Sequence, residues 1–228
     1  MGYLVPIIML LGLGIMAFFM TRTKKQQALW LKETALSHGW SCKTGSEGAS
    51  GVYQISGANA QGIKWELNTY SRTSTKDRSF VLQPSREYTE WISKISVNKG
   101  ELLVMPRDPS WKNFSDDQIL GFIKPAWKAM GLPADQFVAY TEVKKDLNTM
   151  YMLYTTNPEF GKIILQDDLI SLLIKWQDVT SVKGSLVNIR ISPTECALQV
   201  GYILNKPEEA ELIISIGEKI LDCIDKIH

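Results

Sequence analysis

VNIRISPTECALQVGYILNKPEEAELIISIGEKILDCI, residues 187–224, carries two strands and a helix in an order that decides the fold class. Val187, Ile189 and Ile191 alternate with Asn188 and Arg190, the period of two of a strand with one buried face. Ser192-Pro193-Thr194-Glu195 supplies turn residues. Cys196, Leu198, Val200, Tyr202 and Leu204 then face one way, with Gln199 opposite. Pro207 opens a helix whose stripe is Ile213, Ile216, Ile220, Leu221 and Ile224. Glu208, Glu209 and Glu211 occupy its positive end, and Lys219 and Lys226 lie toward the other, as the macrodipole favours. Strands joined by so short a turn are antiparallel neighbours, so the pattern predicts an α+β protein.

Upstream the same logic gives more elements. Residues 151–156 read as a strand. Asn157 then caps a helix with Pro158 at its first position. Phe160, Ile163, Ile164, Leu169, Leu172 and Leu173 carry this helix, with a break allowed at Asp167-Asp168. Taken together, NPEFGKIILQDDLISLLIKW (157–176), VNIRISPTECALQVGYIL (187–204) and PEEAELIISIGEKILDCI (207–224) resemble the tail of uncharacterised bacterial single-pass proteins, a membrane anchor followed by a small α+β domain. The resemblance covers the last third of the chain and implies topology; it brings no activity and no site residue.

Ser115-Asp116-Asp117-Gln118 matches a capping box. It opens a helix with the stripe Ile119, Phe122, Ile123, Ala126, Trp127 and Met130, which Pro125 should kink or split and Gly131 and Pro133 should end. Before it, residues 52–56, 63–70, 88–97 and 101–105 read as strands. In 63–70, Ile63, Trp65, Leu67 and Thr69 alternate with polar residues. Asn98-Lys99-Gly100 reads as a tight turn, and four strands with short links predict an antiparallel meander. Residues 24–38 form a helix ended by Gly39. The small, polar stretches 44–51 and 71–79 are a connector and a loop tip.

The N-terminus carries a different signal. Residues 3–20, YLVPIIMLLGLGIMAFFM, contain no charge over 18 positions. As a helix they span about 27 Å, close to the thickness of the hydrocarbon core. Tyr3, Leu4, Leu11, Gly12, Gly14, Phe18, Phe19 and Met20 mark this anchor, whose partner is the lipid bilayer. No basic residue precedes the run and bulky residues end it, against a cleaved signal peptide. Arg22, Lys24 and Lys25 follow directly, which predicts a single-pass anchor with its N-terminus out and the remainder cytoplasmic, at the inner membrane in a bacterium.

Composition narrows the chemistry. Lys+Arg minus Asp+Glu is +1 in 228 residues, so there is no polyanion-binding signature and no nucleic-acid partner is expected. The three Cys (Cys42, Cys196 and Cys223) and two His (His38 and His228) provide neither a disulfide framework nor metal-ligand spacing, and no cofactor or metal is expected. Residues 45–51, GSEGASG, lack the Gly-Lys-Ser/Thr ending of a phosphate loop. Asp116-Asp117, Asp167-Asp168 and Glu208-Glu209 sit at helix starts, where capping accounts for them, and no catalytic residue is assigned. Trp65, Trp91, Trp127 and Trp176 read as core; Trp30 and Trp40 are candidate interface residues.

The chain is therefore expected to comprise an anchor (1–23), a juxtamembrane helix (24–40), a strand-rich lobe ending in a helix (41–131) and a βαββα lobe (140–228). The lobes stand as two units or join in one domain, a largely antiparallel sheet with helices on one face. The matching function is a membrane-tethered, cytoplasm-facing scaffold or protein-binding module without catalytic activity. The alternatives are an accessory subunit of a larger membrane complex, or an enzyme on a membrane-associated substrate with carboxylates assembled by the fold.

Overall fold

Among the described residues, strand alternation and helical stripes combine into one nine-stranded sheet in which every pairing is antiparallel. The computed structural model describes residues 29–44, 51–71, 87–129, 132–143 and 145–226. The elements are helix α1 (29–37), β1 (Ser41–Thr44), β2 (Gly51–Ala58), β3 (Lys64–Ser71), β4 (Glu87–Lys94), β5 (Leu102–Pro106) and α2 (Asp116–Ala129). After them come β6 (Val138–Ala139), α3 (Lys145–Met150), β7 (Tyr151–Thr155), α4 (Pro158–Ile164), α5 (Asp167–Val179), β8 (Asn188–Ile191), β9 (Glu195–Val200) and α6 (Pro207–Asp225). The sheet order is β1-β2-β3-β4-β9-β8-β5-β7-β6, so strands from residues 41–131 and 140–228 share one hydrogen-bonded sheet.

The expected meander holds for β2, β3 and β4 and fails at β5. The β8–β9 hairpin is inserted between β4 and β5, and residues 95–101 pass around its tip. The amides of Ile95 and Val97 donate to the carbonyls of Thr194 and Pro193, in the hairpin turn. Gly100 serves this crossover and not a tight turn, because a Cβ there would lie 3.0 Å from Asn157 Cβ and 3.2 Å from Phe160 Cβ. The Asn157 amide clamps the crossing by donating to the Lys99 carbonyl at 2.8 Å.

Helices cover both faces, which corrects the expectation of one. On the inner face Trp65, Leu67, Trp91, Leu198, Ile189, Val104 and Leu153 pack with α1, α4, α5 and α6 in the main core. Leu103, Met152 and Tyr154, the alternate residues of β5 and β7, point the opposite way and pack with Ile119, Leu120, Ile123 and Trp127 of α2. β5 and β7 are apolar on both sides, so their outer face also had to be covered.

Local signals held where they were chemical. Ser115 and Gln118 form the reciprocal capping box: the Ser115 amide donates to Gln118 Oε1 at 2.9 Å, and the Gln118 amide to Ser115 Oγ at 3.3 Å. Asn157 Oδ1 caps α4 by accepting from the Glu159 amide. Gly39, at φ +72°, ends α1 with the paired bonds Trp40 N–H to Ala35 O and Gly39 N–H to Leu36 O. Two readings of α2 need correction. Pro125 does not split the helix, which runs unbroken from Asp116 to Ala129 with the proline on an exposed side. Phe122 and Ala126 are exposed, and Leu120 takes the core position instead.

Helical glycines give a paired test. A Cβ at Gly217, inside α6, would come within 2.4 Å of the Trp91 indole, whereas nothing lies within 4 Å of one at Gly121 in α2. Gly217→Ala should therefore lower stability by about 1–3 kcal/mol through overpacking. Gly121→Ala should raise it by about 0.5–1 kcal/mol through helix propensity. Thermal unfolding of the two variants in detergent checks the opposite signs.

Candidate functional site

Cross-strand register on the outer face assembles a row that no local pattern contains. Gln54 of β2 lies opposite Asn68 of β3, Asn68 opposite Glu90 of β4, Glu90 opposite Gln199 of β9, and Gln199 opposite Asn188 of β8. Five amide or carboxyl side chains thus stand side by side, spaced by the strand separation of about 4.8 Å. The neighbouring row is Ser56, Glu66, Ile92, Ala197 and Arg190. On the other side Tyr70 and Tyr88 stack with ring centroids 4.6 Å apart.

Two neighbouring positions of β9 on this face are buried. Ala197 is small and 6% exposed, and Gln199 beside it is only 2% exposed. Gln199 Oε1 is buried without a hydrogen-bond partner. Leaving a buried acceptor unmet costs about 1–3 kcal/mol, so Gln199 works against stability in the isolated chain. Around it the charges come from four different strands or their ends. Arg190 Nη1 lies 3.6 Å from Glu195 Oε1. Burial pushes the Glu101 carboxyl up, with Arg190 opposing. Burial, reinforced by Glu195, lifts the Glu90 carboxyl to about 7. Glu90 therefore changes between donor and acceptor near neutrality, directly opposite an unmet acceptor.

The acidic pairs are placed as caps, and one of them does more. Asp116 pairs with Arg107 through Oδ1 and Nη2. Asp168 accepts from Lys219 Nζ at 2.7 Å. Glu209, at N3 of α6, is fully buried. Its Oε1 accepts from Tyr202 Oη and the Ser181 amide, and its Oε2 from the Asn205 and Lys206 amides. Four donors saturate the carboxylate, which ties the loops after α5 and β9 to the start of α6. This is a structural site.

The other residues named from sequence fall as follows. Cys196 and Cys223 are buried in the core and all three cysteines are free. Trp65, Trp91, Trp127 and Trp176 are each at most 2% exposed. Trp30 and Trp40 are half-buried against the main core; Trp40 stacks on His38 at 4.4 Å and meets Trp65 edge-on at 5.4 Å. The connector 45–50, the tip 72–79, and the anchor residues Tyr3, Leu4, Leu11, Gly12, Gly14, Phe18, Phe19, Met20, Arg22, Lys24 and Lys25 lie outside the described residues. Among the described residues no helix is long and apolar enough to cross a membrane.

No family model matches the chain, and no curated protein matches it. Among solved structures, the mycobacterial trehalose monomycolate transport factor A, TtfA, aligns with a TM-score of 0.48 at 10% identity, over 89% of this chain and 97% of that chain.

Two substitutions test this chemistry. Glu209→Ala leaves four donors without their acceptor and should cost about 3 kcal/mol or more, read as a lower denaturant midpoint. Glu90→Gln is a pH experiment. A carboxyl whose folded pKa is raised from 4.5 to about 7 adds stability that is fully present below pH 4.5 and is lost as pH rises to about 7. The variant lacks that loss, so its stability relative to wild type should climb between pH 4.5 and 7, by on the order of 2 kcal/mol, and level off above.

Proposed function

We propose that the chain is a membrane-tethered, cytoplasm-facing binding module that receives a protein partner on the outer sheet face around Glu90 and Gln199. The observation that carries this reading is the buried, unmet Gln199 Oε1, next to Glu90 in a five-strand polar row. A buried acceptor that weakens the isolated fold gains from a donor that a partner supplies once the Gln199 side chain turns outward on docking. The row is rigid, because each member stands on a paired strand, so little ordering entropy opposes docking. The uncharged run at residues 3–20 supplies the tether, and confinement to the bilayer raises the effective concentration of a modest binder.

A second reading draws on Glu90. A carboxyl held near 7 beside Glu195, from a different strand, is the kind of fold-assembled pair that an acid–base enzyme uses. The two readings separate on one variant. Glu90→Gln keeps shape and hydrogen-bonding capacity, so a binding module should retain its partner, whereas an enzyme would lose turnover.

The binding reading makes a two-part prediction for Gln199→Met. Replacing an unmet acceptor by an apolar group of similar volume should raise stability by about 1 kcal/mol and weaken capture of the partner. The check is crosslinking in cells, purification of the full-length protein in mild detergent, and comparison of co-purifying proteins between wild type and variant. Unchanged capture would refute the site. C-terminal fusions to alkaline phosphatase and to a fluorescent protein test the topology; phosphatase activity would place the domain on the other side of the membrane.

A further inference from the structure

Helix α1 shows two distinct sides, about 130° apart around its axis. Leu31 and Ala35 are 1% and 0% exposed and fasten it to the main core. Leu29 and Leu36, by contrast, are 60% and 67% exposed. At 100° per residue a spacing of seven places these two leucines about 20° apart on one side of the helix. Lys32 and Glu33 flank them, both exposed.

The chain before α1 limits what can cover this side. The uncharged run ends at Met20, nine residues before Leu29, and Arg22, Lys24 and Lys25 lie between. Nine residues reach at most about 30 Å even when fully extended. With residues 3–20 in a bilayer, α1 is therefore confined near the point where the chain leaves the lipid. The nearest apolar phase to Leu29 and Leu36 is then the lipid itself, and the three intervening basic residues favour anionic headgroups.

We infer that the Leu29–Leu36 side of α1 lies in the bilayer interface, so that the domain is held against the membrane in one orientation and does not swing on its tether. The inference rests on the anchor proposed above and adds to it a fixed pose. Two leucines are a small amphipathic contact, and the tether makes it intramolecular, which lets a weak contact persist.

The experiment uses the full chain in phosphatidylcholine–phosphatidylglycerol vesicles. Cys42→Ser removes the half-buried thiol, and Cys196 and Cys223, at 0% and 1% exposure, are shielded from labelling. Leu29→Cys, Leu36→Cys and, as a distant exposed control, Ser110→Cys then carry a polarity-sensitive fluorophore. The expected result is a blue shift at positions 29 and 36, with loss of emission to lipid spin-labelled near the headgroup, and neither effect at 110. Protein that co-floats with the vesicles but shows no more quenching at 29 and 36 than at 110 overturns the docking while leaving the anchor intact. Failure to co-float overturns the anchor, and the docking with it. Self-quenching between labelled copies without lipid quenching would assign the face to a second copy and also overturn the proposal.

Discussion

The close approach of α6 to β4 organises the inner core. Gly217 lets the helix backbone lie directly on the Trp91 indole, where a single methyl group would collide at 2.4 Å. Trp91 in turn lies 6.3 Å from Trp65, and Trp65 meets Trp40 edge-on at 5.4 Å. A Cβ at Gly57 would strike both Trp65 and Trp40, at 2.6 and 2.8 Å. The indole series therefore runs from the end of α1 to the middle of α6, with a glycine at each of two points where a larger residue would part the layers. Trp65 Nε1 donates to Glu218 Oε1 at 2.9 Å, which gives the series a polar tie to α6 as well. Through these ring contacts α1 is packed into the same core as the sheet.

That closure leaves the other side of the sheet divided. α2 covers β5, β7 and β6, whose outward residues are apolar. Across β2, β3, β4, β9 and β8 the outward residues are mixed: amides, carboxyls and Arg190 stand beside Ile92, Ala197 and the Tyr70–Tyr88 stack. The division follows from sequence: LLVMP and YMLYT are apolar at nearly every position, whereas KWELNTYS and EYTEWISK alternate. An antiparallel sheet tolerates one wet face. What it does not tolerate cheaply is Gln199, pressed into that face with its acceptor unmet, and this makes it the informative residue of the surface.

The sequence disclosed those features that depend on near neighbours. The β8–β9 hairpin, the Asn157 cap, the Ser115 box, the Gly39 helix end and the α6 stripe are all written within a few residues, and each is present. Features that depend on distant pairing were hidden. Asn98-Lys99-Gly100 has turn chemistry, yet Gly100 is small for the sake of Asn157 and Phe160, almost sixty residues away in the sequence. The α2 stripe was misplaced by a fraction of a turn because Phe122 is apolar but unburied. The polar row was invisible for the same reason: Asn68, Glu90, Asn188 and Gln199 each look like an ordinary wet position until the register sets them abreast. Only Gln199, a polar residue facing away from Cys196, Leu198 and Val200, gave a local hint.

Orientation connects the two proposals. α1 belongs to the helical layer on the inner face, joined to it through Leu31 and Ala35. Its leucine side is turned about 130° from the side that packs on the core, so under the docking proposal a bilayer meets α1 without disturbing that packing. The Glu90–Gln199 row stands on the sheet face opposite the one that α1 packs against. Under the two proposals together, a protein arriving from solution would meet the outer face without displacing lipid. The rigid link from Trp40 through Trp65 to Trp91 would hold that face at a constant attitude to the membrane. A swinging domain would lose this advantage, because each encounter would again have to find the orientation that brings a donor to Gln199.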